Sequence, residues 1–202
     1  MRILWVATKS PVPSFDGGRL VALTTIRALA AAGHELTIVA PVDPAVMPDT
    51  QAACDEAGLS IELVPAVPAP WRRATLRAVR RQLPVTIARH AIVTVRARVD
   101  TLLATLAFDV VHAEQVHALA ACEPAIARGI PIVWRAHNVE SDLWRARGGL
   151  WTWEAARLAR FEGAAVRRAA ATIALTARDA DRLGTLAGER TRVQRLAAPF
   201  PA

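Results

Sequence analysis

The chain has 202 residues, 53% of them hydrophobic, and a formal charge of +7, enough for one large domain or two small ones with a sizeable core. No apolar run approaches the roughly 18 uncharged residues that a membrane-spanning helix needs. The N-terminus, one charge and then a strand-like run with no small-residue cleavage site, does not read as a secretory signal. Cys54 and Cys122 stand far apart, outside any metal or redox spacing. They read as reduced, buried thiols, and the compartment as the cytoplasm.

In chain order, strand-like runs lie at Ile3–Ala7, Glu35–Ala40, Ser60–Val64, Asp109–His112, Ile130–Ala136, Ala171–Leu175 and Arg192–Leu196. Between the first two, Leu20, Leu23, Ile26, Leu29 and Ala30 repeat with helical period until Gly33 ends the pattern. Further helices are expected at Asp49–Ala57, Trp71–Leu83, Val85–Ala107, Val116–Ala127, from near Asp142, at Trp151–Ala169 and at Ala177–Ala187. Short apolar strands alternating with helices predict a doubly wound, mainly parallel, Rossmann-like α/β fold. Residues 1–196 form that domain in this reading. The Ala197–Ala202 stretch, with its two prolines, reads as the start of a linker.

Ligands of such sheets sit outside the carboxyl ends of the strands, and several of those ends are polar. The strongest is His137-Asn138-Val139-Glu140-Ser141 after Ile130–Ala136. Its imidazole, amide, carboxylate and hydroxyl suit a polyhydroxylated or charged ligand, and Asn138 or Ser141 would also cap the next helix. At the first strand end, Asp16-Gly17-Gly18 opens a helix whose N–H groups and dipole suit a phosphate; an ordinary flexible turn is the alternative. At a third, Glu114 and Gln115 follow His112, either contacting an acceptor or opening the next helix. His90 and His117 read as surface or core residues and His34 as part of a turn. Asp43 reads as a loop acid, because the G-x-G-x-x-G dinucleotide fingerprint is missing; its absence argues against a nicotinamide dehydrogenase. Glu154 and Glu162 have E-x7-E spacing but share a helix with Arg157 and Arg160, so solvated ion pairs are expected there.

Charge is concentrated in one segment. From Leu63 to Val99 there is no acidic residue, while Arg72, Arg73, Arg77, Arg80, Arg81, Arg89, Arg96 and Arg98 all fall there. Trp71, Leu76, Val79 and Leu83 share the first of its helices, so peripheral contact of Trp71–Arg98 with an anionic membrane is one reading. A solvated helix face is the other. No nucleic-acid module accompanies the charge.

Together these strings resemble the N-terminal domain of retaining GT-B glycosyltransferases of the family 4-like group. The resemblance runs through Met1–Val6, Asp16-Gly-Gly18, Ala31–Val39, Asp109–Ala113, Trp134–Ser141 and Arg160-Phe-Glu162, with His137–Ser141 its most specific part. It implies the acceptor-binding half of a two-lobed enzyme, with Gly17 and Gly18 near the donor diphosphate or transferred sugar and His137 at the reacting centre. Asp16, Glu114, Asn138 and Glu140 would shape the acceptor pocket. It implies no metal or other cofactor. Most of the nucleotide-sugar site would belong to a second, donor-side lobe not contained in these residues, so little transfer is expected from this chain alone. A non-catalytic binding or partner module of the same fold stays open.

Overall fold

The structure is a computed structural model that describes residues 1–149, 151–188 and 193–197. Seven strands form one sheet: β1 (Arg2–Val6), β2 (Glu35–Val42), β3 (Ile61–Pro65), β4 (Val110–Glu114), β5 (Ile132–Ala136), β6 (Ala171–Ala174) and β7 (Val193–Arg195). Their order is β3-β2-β1-β4-β5-β6-β7, and every pairing is parallel. The chain winds outward from β1 to β3, then returns to place β4 on the other side of β1. The switch point of the sheet is therefore the gap between the ends of β1 and β4.

Helices cover both faces. On one lie α1 (Gly17–Ala31) and α2 (Met47–Glu56), packed on Trp5, Ala7, Ile38 and Ala40. The alternate strand residues Leu4, Val6, Val39, Val111 and Trp134 face the other core, under α4 (Val85–His90), α5 (Val93–Thr105), α8 (Trp151–Arg168) and α9 (Ala177–Ala187). α3 (Trp71–Arg81), α6 (Glu123–Ala127) and α7 (Glu140–Ala146) complete the set. Because successive strand side chains point to opposite faces, both sides are apolar, as a fully covered parallel sheet requires.

Two expected helices divide. Val85–Ala107 breaks at Ala91 and Ile92, where the carbonyls of Ala88 and Ala91 accept hydrogen bonds from the Arg77 guanidinium at 3.1 and 2.6 Å. Val116–Ala127 becomes a 3-10 turn over Val116–Ala121 followed by α6. Pro124 explains the break: it has no N–H to continue the ladder and its ring is tolerated only in a first turn. Arg192 and residues 198–202, which carried the start of the last strand and the expected linker, lie outside the described residues.

Candidate functional site

A cleft of about 700 Å³ opens at the carboxyl ends of the strands. Its wall is made by Lys9, Asp16, Gly17 and Gly18 after β1, Gln115 and Val116 after β4, His137, Asn138 and Glu140 after β5, and Leu175, Thr176 and Asp179 after β6. At the switch point the Thr8 hydroxyl donates to Gln115 Oε1 at 3.1 Å, bridging the ends of β1 and β4.

The N-terminus of α1 forms one side. Asp16 caps it by accepting the Arg19 N–H at 2.9 Å, and its other oxygen takes the Lys9 ammonium at 2.6 Å. Burial is the largest single influence and raises the Asp16 pKa, but the Lys9 and Arg19 bonds and charges together outweigh it and keep the carboxyl below its ordinary value. Gly18 is needed for close approach: a Cβ there would lie 3.2 Å from His137 Nδ1 and from Asp16 Oδ1. At Gly17 a Cβ would meet nothing within 4 Å.

His137 is held from below by Glu114. The Glu114 carboxylate is buried and surrounded by donors, namely Arg135 Nε and Nη2 at 2.8–3.1 Å, His112 Nε2 at 2.9 Å and His137 Nε2. Strand register explains the arrangement. Glu114 lies beside Arg135 across β4 and β5, and His112 beside Trp5 across β4 and β1, on the face that α1 covers. The Trp5 and His112 rings stack at 3.8 Å, the Arg135 guanidinium lies 5.2 Å from the Trp5 ring centroid, and Arg135 Nη1 reaches Thr25 of α1. Burial pushes the Glu114 pKa up, yet the bonds from His112 and His137 and the charge of Arg135 reverse this and hold it far below the carboxylate range. An ionised carboxylate only accepts. His137 therefore presents Nε2–H to Glu114, and in the neutral ring Nδ1 is left as an acceptor on the Gly18 side.

A second buried carboxylate fixes the other end of the loop. Glu162 of α8 accepts the N–H groups of Glu140 at 2.7 Å and Ser141 at 3.2 Å, the first two of α7. Burial raises its pKa to about 7 against those bonds, with the Glu140 charge adding to the rise. Glu140 is itself raised by burial, with Arg147 pulling the other way.

Gln115 carries a further signal. Its φ of 68° and ψ of 158° lie in a region nearly reserved for glycine. The backbone is committed there because the Gln115 N–H bonds to the Arg135 carbonyl at 2.9 Å while the chain turns sharply into Val116. In the cleft wall, Thr176 caps α9 by accepting the Asp179 N–H at 3.0 Å, and its hydroxyl donates to Asp179 Oδ2 at 2.7 Å.

The sequence matches the glycosyl transferase 4-like domain over residues 16–198. The chain belongs to that family. Solved structures that share the fold include HepE from Anabaena in complex with UDP and glucose, at 14% identity and TM-score 0.60 over 99% of this chain and 45% of HepE. UDP-N-acetylglucosamine 2-epimerase from Rickettsia bellii aligns at 13% identity and TM-score 0.60, over 98% of this chain and 45% of its own. The UDP-GlcNAc 2-epimerase from Neisseria meningitidis bound to UDP-GlcNAc gives 14%, 0.58, 96% and 45%. This chain thus spans a little under half the length of these proteins. No curated protein matches the sequence.

Within this family 4-like domain, Asp16, Gly17, Gly18, His137, Asn138 and Glu140 do meet at one cleft. Glu114 departs from its expected role. It does not line the cleft, because its lone pairs are taken by protein donors, and Gln115 occupies the wall instead. The E-x7-E pair was expected in solvent and is buried. Positions 154, 158 and 162 recur every four residues on the inward face of α8, where Glu154 accepts the Thr86 N–H at 3.0 Å and Glu162 secures α7. Neither Asn138 nor Ser141 caps α7; Val139 holds the cap position without a side-chain bond. Thr176 and Asp179 were not foreseen as cleft residues, although Thr176-x-x-Asp179 after an apolar strand is a legible capping signal.

Proposed function

We propose that this chain is the acceptor-binding half of a retaining hexosyltransferase, moving a sugar from a nucleotide-sugar donor to a glycolipid, polysaccharide or small-molecule acceptor in the cytoplasm. The observation that carries the reading is one convergence in a family 4-like domain. The first N–H groups of α1, the His137 imidazole and the polar ends of β4 and β6 share a single cleft at the switch point. Gly17 and Gly18 face the donor diphosphate or the sugar in transit, where the helix dipole favours negative charge. His137 hydrogen-bonds sugar hydroxyls through Nδ1, while Glu114 and Arg135 fix its ring from behind. Asp16, Asn138, Glu140 and Gln115 shape the acceptor side.

In this reading no side chain attacks the sugar. The acceptor oxygen approaches the face from which the diphosphate leaves, and catalysis rests on positioning and on stabilising the departing phosphate. The donor-side lobe would hold most of the nucleotide, and HepE, also solved with UDP-glucose, and the meningococcal epimerase make UDP-glucose and UDP-GlcNAc the first donors to try. The test is release of UDP and labelling of acceptors by the full-length gene product. The wild type transfers sugar, and His137→Ala lowers kcat/KM about 100-fold or more, the scale of one lost transition-state hydrogen bond, with its circular dichroism unchanged. Absence of transfer from every nucleotide-sugar donor would leave the non-catalytic binding module in its place.

A further inference from the structure

α3 buries its small residues and exposes its large apolar ones. Ala74 and Ala78 face the protein, whereas Leu76 is 61% and Val79 65% exposed. A helix that only covered a core would do the reverse.

The charges around these side chains are uncompensated. Arg96 and Arg98 pair with Glu123 and Glu62, and Arg77 is spent on the carbonyls that end α4. Arg72, Arg73, Arg80 and Arg81 are exposed and have no carboxylate partner among the described residues. Arg73, Arg77, Arg80 and Arg81 surround Leu76 in an open hollow of about 490 Å³.

α8 extends the surface. Trp144 packs edge-on to Trp71 of α3 at 6.2 Å and to Trp151 at 4.9 Å. Trp151 and Trp153, the latter 58% exposed, stand on the first turn of α8. Arg157 covers the Trp153 ring at 4.6 Å and reaches back to the Leu83 carbonyl just past α3, which ties the two helices together. Of the six tryptophans, Trp71, Trp151 and Trp153 are exposed here around the buried Trp144, while Trp5 and Trp134 lie deep in the core.

We infer that α3 and the first turn of α8 form a docking surface for an anionic phospholipid bilayer. Guanidinium groups meet lipid phosphates while Leu76, Val79 and the tryptophan edges enter the headgroup layer, where amphipathic rings reside. Other arginines argue against nucleic acid. Single strands need open ring faces to stack on, and here Arg89, Arg147 and Arg157 lie over Trp71, Trp144 and Trp153. The inference does not depend on sugar transfer.

Flotation of the 202-residue chain with phosphatidylcholine vesicles, with and without phosphatidylglycerol, tests it. The chain should rise with the anionic vesicles only, lose binding as salt rises, and show a blue shift of tryptophan emission. Arg72→Glu with Arg73→Glu should lower the partition coefficient at least tenfold, about fivefold per basic side chain being the usual scale. Leu76→Ser with Val79→Ser should weaken binding and abolish the blue shift without changing the melting temperature, since both side chains are exposed. Arg27→Glu, on α1 across the sheet, should have no effect. Equal recovery from neutral and anionic vesicles, or arginine variants that behave like Arg27→Glu, would overturn the inference. So would retention on DNA without flotation.

Discussion

A carboxylate has about four lone-pair sites, and at Glu114 they are taken by Arg135, His112 and His137. Glu114→Gln would leave the Arg135 guanidinium buried without a counter-charge and place an amide N–H against donors. Breaking a buried pair in this way costs about 3–5 kcal/mol, so a fall of that size in the unfolding free energy is expected by urea titration; a change below about 1 kcal/mol would mean that water or relaxation replaces the pair. Gln115 offers a separate test of its backbone. Its side chain accepts from Thr8, and both Gln115→Ala and Gln115→Gly lose that bond. Only glycine relieves a φ of 68° with ψ of 158°, worth about 1–3 kcal/mol. The glycine variant should therefore be the more stable of the two in the same titration, although glycine normally weakens a chain relative to alanine.

Among the elements, α8 shapes the cleft without lining it, through the hold of Glu162 on the start of α7. The α8 residue Gly163 lets α9 approach so closely that a Cβ there would lie 2.3 Å from the Leu186 carbonyl oxygen. Gly163→Ala gains up to about 1 kcal/mol of helix propensity but forces two packed helices apart, at about 1–3 kcal/mol or more. The melting temperature should fall by several degrees; a rise would show that the contact gives way easily. The inward face of α8 also marks where the sequence was and was not legible. All seven strands were readable, because apolar runs bounded by polar ends have few other interpretations, and so was the meeting of Gly18 with His137. Glu154 and Glu162 were misread for a physical reason. Their arginine neighbours offered plausible ion pairs along the helix, while the N–H groups of Thr86 and of α7 that they accept come from elements 68 and about 21 residues away. Glu114 was misplaced similarly, since only strand register shows that Arg135 lies beside it.

For the molecule as a whole, the buried and half-buried ionisable groups give opposing responses to pH. Burial lowers the pKa of His117 to about 3 and lowers those of His90 and His112. The unfolded chain binds more protons than the folded one below the free histidine value near 6.5, so these groups make stability rise with pH up to that point. Glu114, held low, adds a rise on the acid side of about pH 4.5. Glu162 acts in the other direction. With a folded pKa of about 7 and an unfolded one near 4.5, the folded chain keeps a proton that the unfolded chain has lost, so stability falls as pH rises from about 4.5 to 7. Glu162→Gln removes only this last contribution. Whatever the variant costs in hydrogen bonds to α7 is shared by all pH values and cancels when each protein is compared with itself. Relative to the wild type, the variant should gain about 2.5 kcal/mol between pH 5 and pH 8, read from urea unfolding at both. If the two proteins change equally over that interval, the carboxylate already ionises freely in the fold. The loop from His137 to Ser141 would then be anchored by a permanently charged group rather than by one poised near neutrality.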